Sequence, residues 1–168
     1  EPLLSRAHLL SDRLALAGLT SLCALLRAAL PEREPHPALY QETLALADRL
    51  GTEGWTSAYL RWELRLLEEL GFGLDLSACA VTGAREGLAY VSPKTGRAVT
   101  AQGAGDWADR LLPLPEGLTG QGLLAPGAVR TGLQLTGFFL DRGLRPVLHD
   151  KPLPEARARL LDLLARLG

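Results

Sequence analysis

Few residues in this chain combine reactive chemistry with the spacing of a site, and the clearest set begins at Cys79. The run Cys79-Ala80-Val81-Thr82-Gly83 has the outline of a zinc knuckle, Cys-x-x-Cys-Gly, with Thr82 where a second sulfur would stand. A ribbon-type site joins two such turns across a hairpin. The matching turn is Val99-Thr100-Ala101-Gln102-Gly103, with Thr100 and Gly103 at the two remaining ligand positions. Structural zinc is four-coordinate and a single thiolate cannot hold it. No metal and no other cofactor is therefore expected at Cys79, Thr82, Thr100 and Gly103; hairpin pairing and packing must hold the segment.

The remaining candidates carry less. His8, His36 and His149 are scattered, none at ligand spacing with another or with Cys79, and surface or capping roles are expected. His149-Asp150 suggests an acid–base pair, but adjacent side chains point apart and no nucleophile accompanies them. A small hydrolase built on that pair is the enzyme reading, and the chain is not expected to be an enzyme. Cys23, inside "LTSLCALLRAAL", reads as a small buried hydrophobe. Neither a phosphate-binding Gly-x-x-x-x-Gly-Lys nor a Gly-x-Gly-x-x-Gly is present. Acids interleave with arginines in "RWELRLLEEL" and "PEARARLLDLLARL", the pattern of a solvated helix face.

Binding is what remains. Arg61 and Arg65 lie one turn apart beside an aromatic stripe, Lys94 and Arg97 stand at a hairpin tip, and Arg130, Arg142, Arg145 and Lys151 fall in the last third. Brought together by the fold, such groups make a groove for phosphates or for an acidic peptide.

The elements that must position these residues are mostly helical. From Leu3 to Leu30 the chain is dense in Leu and Ala and is stopped at "PEREPHP"; Pro37 then opens a helix that runs to Gly51, a C-terminal cap position. In "GWTSAYLRWELRLLEELGFGLDL", Trp55, Tyr59, Trp62, Leu66 and Leu70 recur at helical spacing and form one face, with Arg61, Arg65, Glu68 and Glu69 off it. Two tryptophans and a tyrosine so placed are core. Between Leu76 and Leu124 glycine, proline and β-formers take over, and "LAYVSPKTGRAV" reads as a hairpin turning at Ser92–Gly96. After the loop "LLPLPEGLTGQGLLAPG" helical spacing resumes in "AVRTGLQLTGFFLDRGL" and again after Pro154. The predicted fold is mainly α: a helical bundle domain, 1-75 and 124-168, with a small inserted degenerate zinc-ribbon-like β-hairpin module, 76-123.

The chain has 168 residues, enough for one domain with an insert. With 18 basic and 19 acidic side chains it is near neutral, so any nucleic-acid contact must come from a local patch. Two cysteines give no disulfide framework. Neither a membrane-spanning run nor a signal peptide is recognisable, which fits a cytoplasmic protein. The absence of Ile, Asn and Met reflects coding bias, and the start at Glu1-Pro2 reads as part of a longer protein.

The segments "RWELRLLEELGFGLDLSACAVTG", "LAYVSPKTGRAV", "LLPLP" and "KPLPEARARLLDLL" together resemble the carboxyl-terminal region of the bacterial recombination mediator family RecO, from about Tyr40 onward, in the branch that has lost its zinc. Members with a full site carry two Cys-x-x-Cys turns around this hairpin, so the resemblance makes Cys79, Thr82, Thr100 and Gly103 a relic. It implies a DNA repair function without bond-breaking chemistry: binding of single- and double-stranded DNA, strand annealing, and loading of the recombinase with RecR onto DNA coated by single-strand binding protein. It also implies an amino-terminal OB-fold, expected to lie outside the sequence at hand. Recognition of the acidic, phenylalanine-ended tail of single-strand binding protein needs an apolar slot with a cationic rim. Arg61, Trp62, Arg65 and Leu66, with Arg142 and Lys151 nearby, are the expected slot, and Lys94 and Arg97 the expected DNA contacts. The rival reading is a helical scaffold for RecR or another subunit with no DNA contact of its own.

Overall fold

The computed structural model describes residues 12–30 and 34–167. His8 and the first part of the Leu3–Leu30 segment lie outside them. The first described helix, α1 (Arg13–Ala29), opens on Asp12, whose carboxylate accepts the Ala15 amide at 3.1 Å, a side-chain N-cap. Helix α2 (Pro37–Arg49) starts on its proline, and α3 (Trp55–Glu69) carries the aromatic stripe. Gly51 and Gly71 take φ of 86° and 89° just past α2 and α3, left-handed geometry that a side chain would resist.

Trp55, Tyr59, Trp62 and Leu66 are all buried, as their spacing predicts. Each aromatic removes enough surface from water to contribute roughly 4 to 6 kcal/mol of transfer free energy. This face meets α5 (Pro126–Leu144), while α1 packs chiefly against α6 (Glu155–Leu167). Gly132 lets α3 and α5 close: a Cβ there would sit 2.4 Å from a methyl of Leu60.

The insert between α3 and α5 forms the sheet. β1 (Leu88–Val91) pairs antiparallel with β2 (Ala98–Thr100) across the expected turn, and β3 (Leu112–Pro113) adds to the other edge of β1, giving the order β2-β1-β3. β3 lies in "LLPLP", expected to be loop; edge position allows its proline, whose missing N–H costs the sheet nothing on the open side. Between β2 and β3 come one helical turn, α4 (Ala101–Ala104), and a 3-10 helix over Gly105–Arg110. Val91 and Ala98 join the main helical core, whereas Cys79, Val99 and Ala104 form a second small cluster. The mainly helical fold with a hairpin insert is thus as the sequence predicts.

Cys23 is exposed, not buried as expected. The apolar run around it is longer than the face α1 can bury, and Leu22 and Leu25 take the inward positions.

Candidate functional site

The knuckle closes on Cys79 as its spacing implies. The thiol is buried, and the backbone N–H groups of Val81, Thr82 and Thr100 donate to Sγ at 3.4, 3.3 and 3.2 Å. Thr100 Oγ1 lies 3.6 Å from the sulfur and accepts the Gly103 amide at 2.9 Å, and a Cβ on Gly103 would come within 3.1 Å of Sγ. The four relic positions therefore converge. Burial pushes the thiol up, but hydrogen bonds from Thr82 and Thr100 outweigh it and bring it down to about 6. This donor set does not fit structural zinc: one sulfur is present, the Thr82 and Thr100 hydroxyls accept from Ala84 and Gly103, and Gly103 has no side chain. Among the described residues, no three His, Cys, Asp or Glu side chains are placed to share a metal ion.

The expected peptide slot is only partly assembled. Arg61, Trp62 and Arg65 line one cleft of about 470 Å³ between α2, α3 and the loop at Gln121–Leu123. Within it, Arg61 is fully engaged: Nε and the two terminal nitrogens donate to the carbonyls of Leu118, Gly122 and Gly117 at 3.1, 2.7 and 2.9 Å. It pins the glycine-rich loop that forms one wall. Arg65 donates to Glu42 at 3.1 Å and contacts Glu69 at 2.9 Å. Glu69 also bonds the His36 ring at 2.5 Å, and its carboxyl is held low chiefly by His36 and then by Arg65. Trp62 reaches the cleft by an edge only, its indole N–H donating to Thr43 Oγ1 at 2.9 Å inside the core. Arg49, which the sequence reading did not select, is exposed on the same rim.

The other selected residues lie apart from that cleft. Leu66 is fully buried. Arg142 donates to the Pro93 carbonyl, stacks over Phe138 and Phe139 at 5.3 and 5.1 Å, and lines a separate cleft with Phe72 and Pro146. Lys151 is exposed beyond the end of α5. At the hairpin turn Lys94 and Arg97 are both exposed, with Arg97 bridged through its backbone to Asp75. His149 and Asp150 are exposed and both left-handed, with φ of 53° and 65°, in the turn after α5.

One polar constellation went unread. Arg157, on α6, donates from Nε and a terminal nitrogen to the two oxygens of Glu63, on α3, at 2.8 and 2.9 Å, with both side chains buried. Thr136 and Tyr59 also donate to that carboxylate at 2.6 and 2.8 Å, Ser21 reaches the Tyr59 hydroxyl at 2.6 Å, and Arg157 donates to the Leu133 carbonyl at 2.7 Å. Gly137 makes room, since a Cβ there would stand 3.0 Å from the guanidinium. The "RWELRLLEEL" and "PEARARLLDLLARL" pattern is thus not uniformly solvated. A signal was present: Glu63 is four residues after Tyr59 and three before Leu66, on the buried face, and Arg157 is three before buried Leu160. Burial and the Glu63 carboxylate push Tyr59 well above its ordinary value. A fourfold-bonded carboxylate and a paired guanidinium leave nothing for a ligand; this network holds α1, α3, α5 and α6 together.

Comparison with known proteins follows the same lines. The family model described as the recombination protein O C terminal matches residues 10–152. The DNA repair protein RecO of Cereibacter sphaeroides (strain ATCC 17029 / ATH 2.4.9) is 64% identical over 166 residues, covering 99% of this chain and 70% of that protein. The RecO of Ruegeria sp. (strain TM1040) is 60% identical over 168 residues, with 99% and 70% covered. That of Paracoccus denitrificans (strain Pd 1222) is 59% identical over 162 residues, with 96% and 66% covered. No solved structure matches the chain. No described helix is long and apolar enough to cross a membrane. On the family match and these identities, the chain belongs to the RecO family of bacterial DNA repair and recombination proteins, of which it carries the carboxyl-terminal region.

Proposed function

We propose that this chain is the partner-binding part of a recombination mediator: it contacts DNA, anneals strands, and engages RecR and the acidic tail of single-strand binding protein to help load the recombinase. No bond-breaking step is assigned to it. The observation that carries the reading is the α2–α3 cleft, with an apolar floor of Leu46, Ala58 and the Trp62 edge and a rim of Arg49, Arg61 and Arg65. A phenylalanine-ended acidic tail asks for that combination of greasy slot and cations. Within it, Arg49 meets the peptide carboxylates, Arg61 positions the wall, and Arg65 divides its charge between Glu42 and Glu69.

The test is fluorescence anisotropy with a labelled acidic peptide ending in Pro-Phe, beside the same peptide without the Phe. Binding that needs the Phe and weakens in Arg49→Ala supports the cleft. A peptide that binds with and without Phe alike, or an Arg49→Ala protein that binds as tightly as the parent, rejects it. The rival, a helical scaffold without DNA contact, draws support from the internal engagement of Arg61 and Arg142; salt-sensitive binding of DNA to this chain would reject that rival.

A further inference from the structure

We propose that the groove between α1 and α6 binds a phosphodiester backbone, that of single-stranded DNA; this deepens the reading that the chain touches DNA and relocates the contact away from the hairpin tip. The groove holds about 370 Å³ and is lined from α1 by Arg13, Leu16 and Thr20 and from α6 by Arg159, Leu163 and Arg166. Its three guanidiniums are exposed and face one carboxylate, Asp162, so a chain of formal net charge -1 carries a positive surplus here. Several arginines elsewhere are consumed internally: Arg61 by three carbonyls, Arg65 by Glu42, Glu68 and Glu69, Arg142 by Pro93, Arg157 by Glu63. Those of the groove have no ion pair or side-chain hydrogen bond among the described residues. Unpaired arginine forks are suited to phosphate, which they bind bidentately.

The spacing agrees. Arg159 and Arg166 are two helical turns apart on one face of α6, roughly 10 Å along the axis, far enough apart for the two forks to meet different phosphates of one strand. Arg13 stands on the opposite wall, and Leu16 and Leu163 give the floor an apolar surface for sugars and base faces. An acidic peptide satisfies the charge but does not require cations on both walls of one groove, Arg13 on α1 and Arg159 and Arg166 on α6. The hairpin tip offers less, because Arg97 stands close enough to Asp75 to lower its carboxyl, after the dominant hydrogen bonds from Ser77.

The experiment titrates the 168-residue chain into fluorescein-labelled oligo(dT) across a range of salt, for the parent, R159A/R166A, R13A and K94A/R97A. The groove predicts that R159A/R166A weakens binding at least tenfold at low salt and lowers the slope of log affinity against log salt by about 1.4, with R13A lowering it by about half as much. All three α1 and α6 positions are exposed, so unchanged thermal melts are expected and separate lost contact from lost fold. Parental binding retained in R159A/R166A, or lost only in K94A/R97A, overturns the groove while leaving DNA contact standing. No binding by the parent at low salt overturns both. Poly-glutamate of matched charge binding as tightly, with the same sensitivity to R159A/R166A, makes the groove a site for an acidic protein and overturns the assignment to DNA.

Discussion

Two buried polar clusters solve the same problem in opposite ways. In the helical core, Glu63 and Arg157 are separated by 94 residues and satisfy each other with full charges, joined by Thr136, Tyr59 and a carbonyl. In the insert, Cys79 accepts N–H groups from residues 2, 3 and 21 positions away. The first cluster couples distant helices, and losing a partner strands a charge in low dielectric. The second is assembled within one module and uses dipoles already aimed inward, the geometry that would otherwise present a thiolate to a metal. A polar group can survive burial by long-range pairing or by local backbone donation, and only the first makes the whole fold interdependent.

The largest expected break is on the charged side. Arg157→Met leaves the Glu63 carboxylate buried without its cation and should cost about 3 to 5 kcal/mol in urea unfolding, whereas adding Glu63→Leu should recover most of that loss. Equal destabilisation of single and double variants would show that packing, not charge, dominates there. Gly132→Ala attacks the same core by shape, since the added methyl meets Leu60 at 2.4 Å; about 1 to 3 kcal/mol is expected from the same measurement.

On the local side, Cys79→Ala should cost roughly 1 to 2 kcal/mol, with faster hydrogen exchange confined to the amides of Thr82, Thr100 and their neighbours. Exchange that rises across α3 and α6 as well would erase the contrast between the clusters. The cost also has a sign in pH. The thiol lies at about 6 in the fold, below its ordinary value of about 8.5 in the unfolded chain, so folding favours the thiolate. Its contribution is fully present above the unfolded value and is lost as pH falls through 6. The gap in urea midpoint between parent and Cys79→Ala should therefore widen between about pH 5 and about pH 9; a gap independent of pH would mean that the sulfur stays protonated. The smallest effect belongs to the surface: Arg65→Ala, despite contacts to Glu42 and Glu69, should change stability by less than about 1 kcal/mol in the same unfolding assay.

Much of the fold was legible because its signals are local. The stripe Trp55, Tyr59, Trp62, Leu66 repeats with the helix, and turn residues at Ser92–Gly96 place the hairpin. The knuckle positions converge because a hairpin joins them. The candidate binding sites were less legible. Arg61 and Arg142 have the look of free rim cations, yet each is spent on carbonyls of a loop that only folding brings near, 56 and 49 residues away. The short strand β3 escaped because two residues carry no periodicity, and its pairing with β1 is set by the chain's return path.

By itself the sequence determined helix identity, the hairpin, the empty ligand positions around Cys79 and the family, all carried by spacing within a few turns or by motif order. The tertiary structure alone decided which charges are satisfied. Glu63 became a core residue because Arg157 arrives from the last helix, and Arg13, Arg159 and Arg166 were left unpaired together because the two ends of the described chain pack side by side. Charge pairing depends on distance in space, which composition and periodicity do not encode.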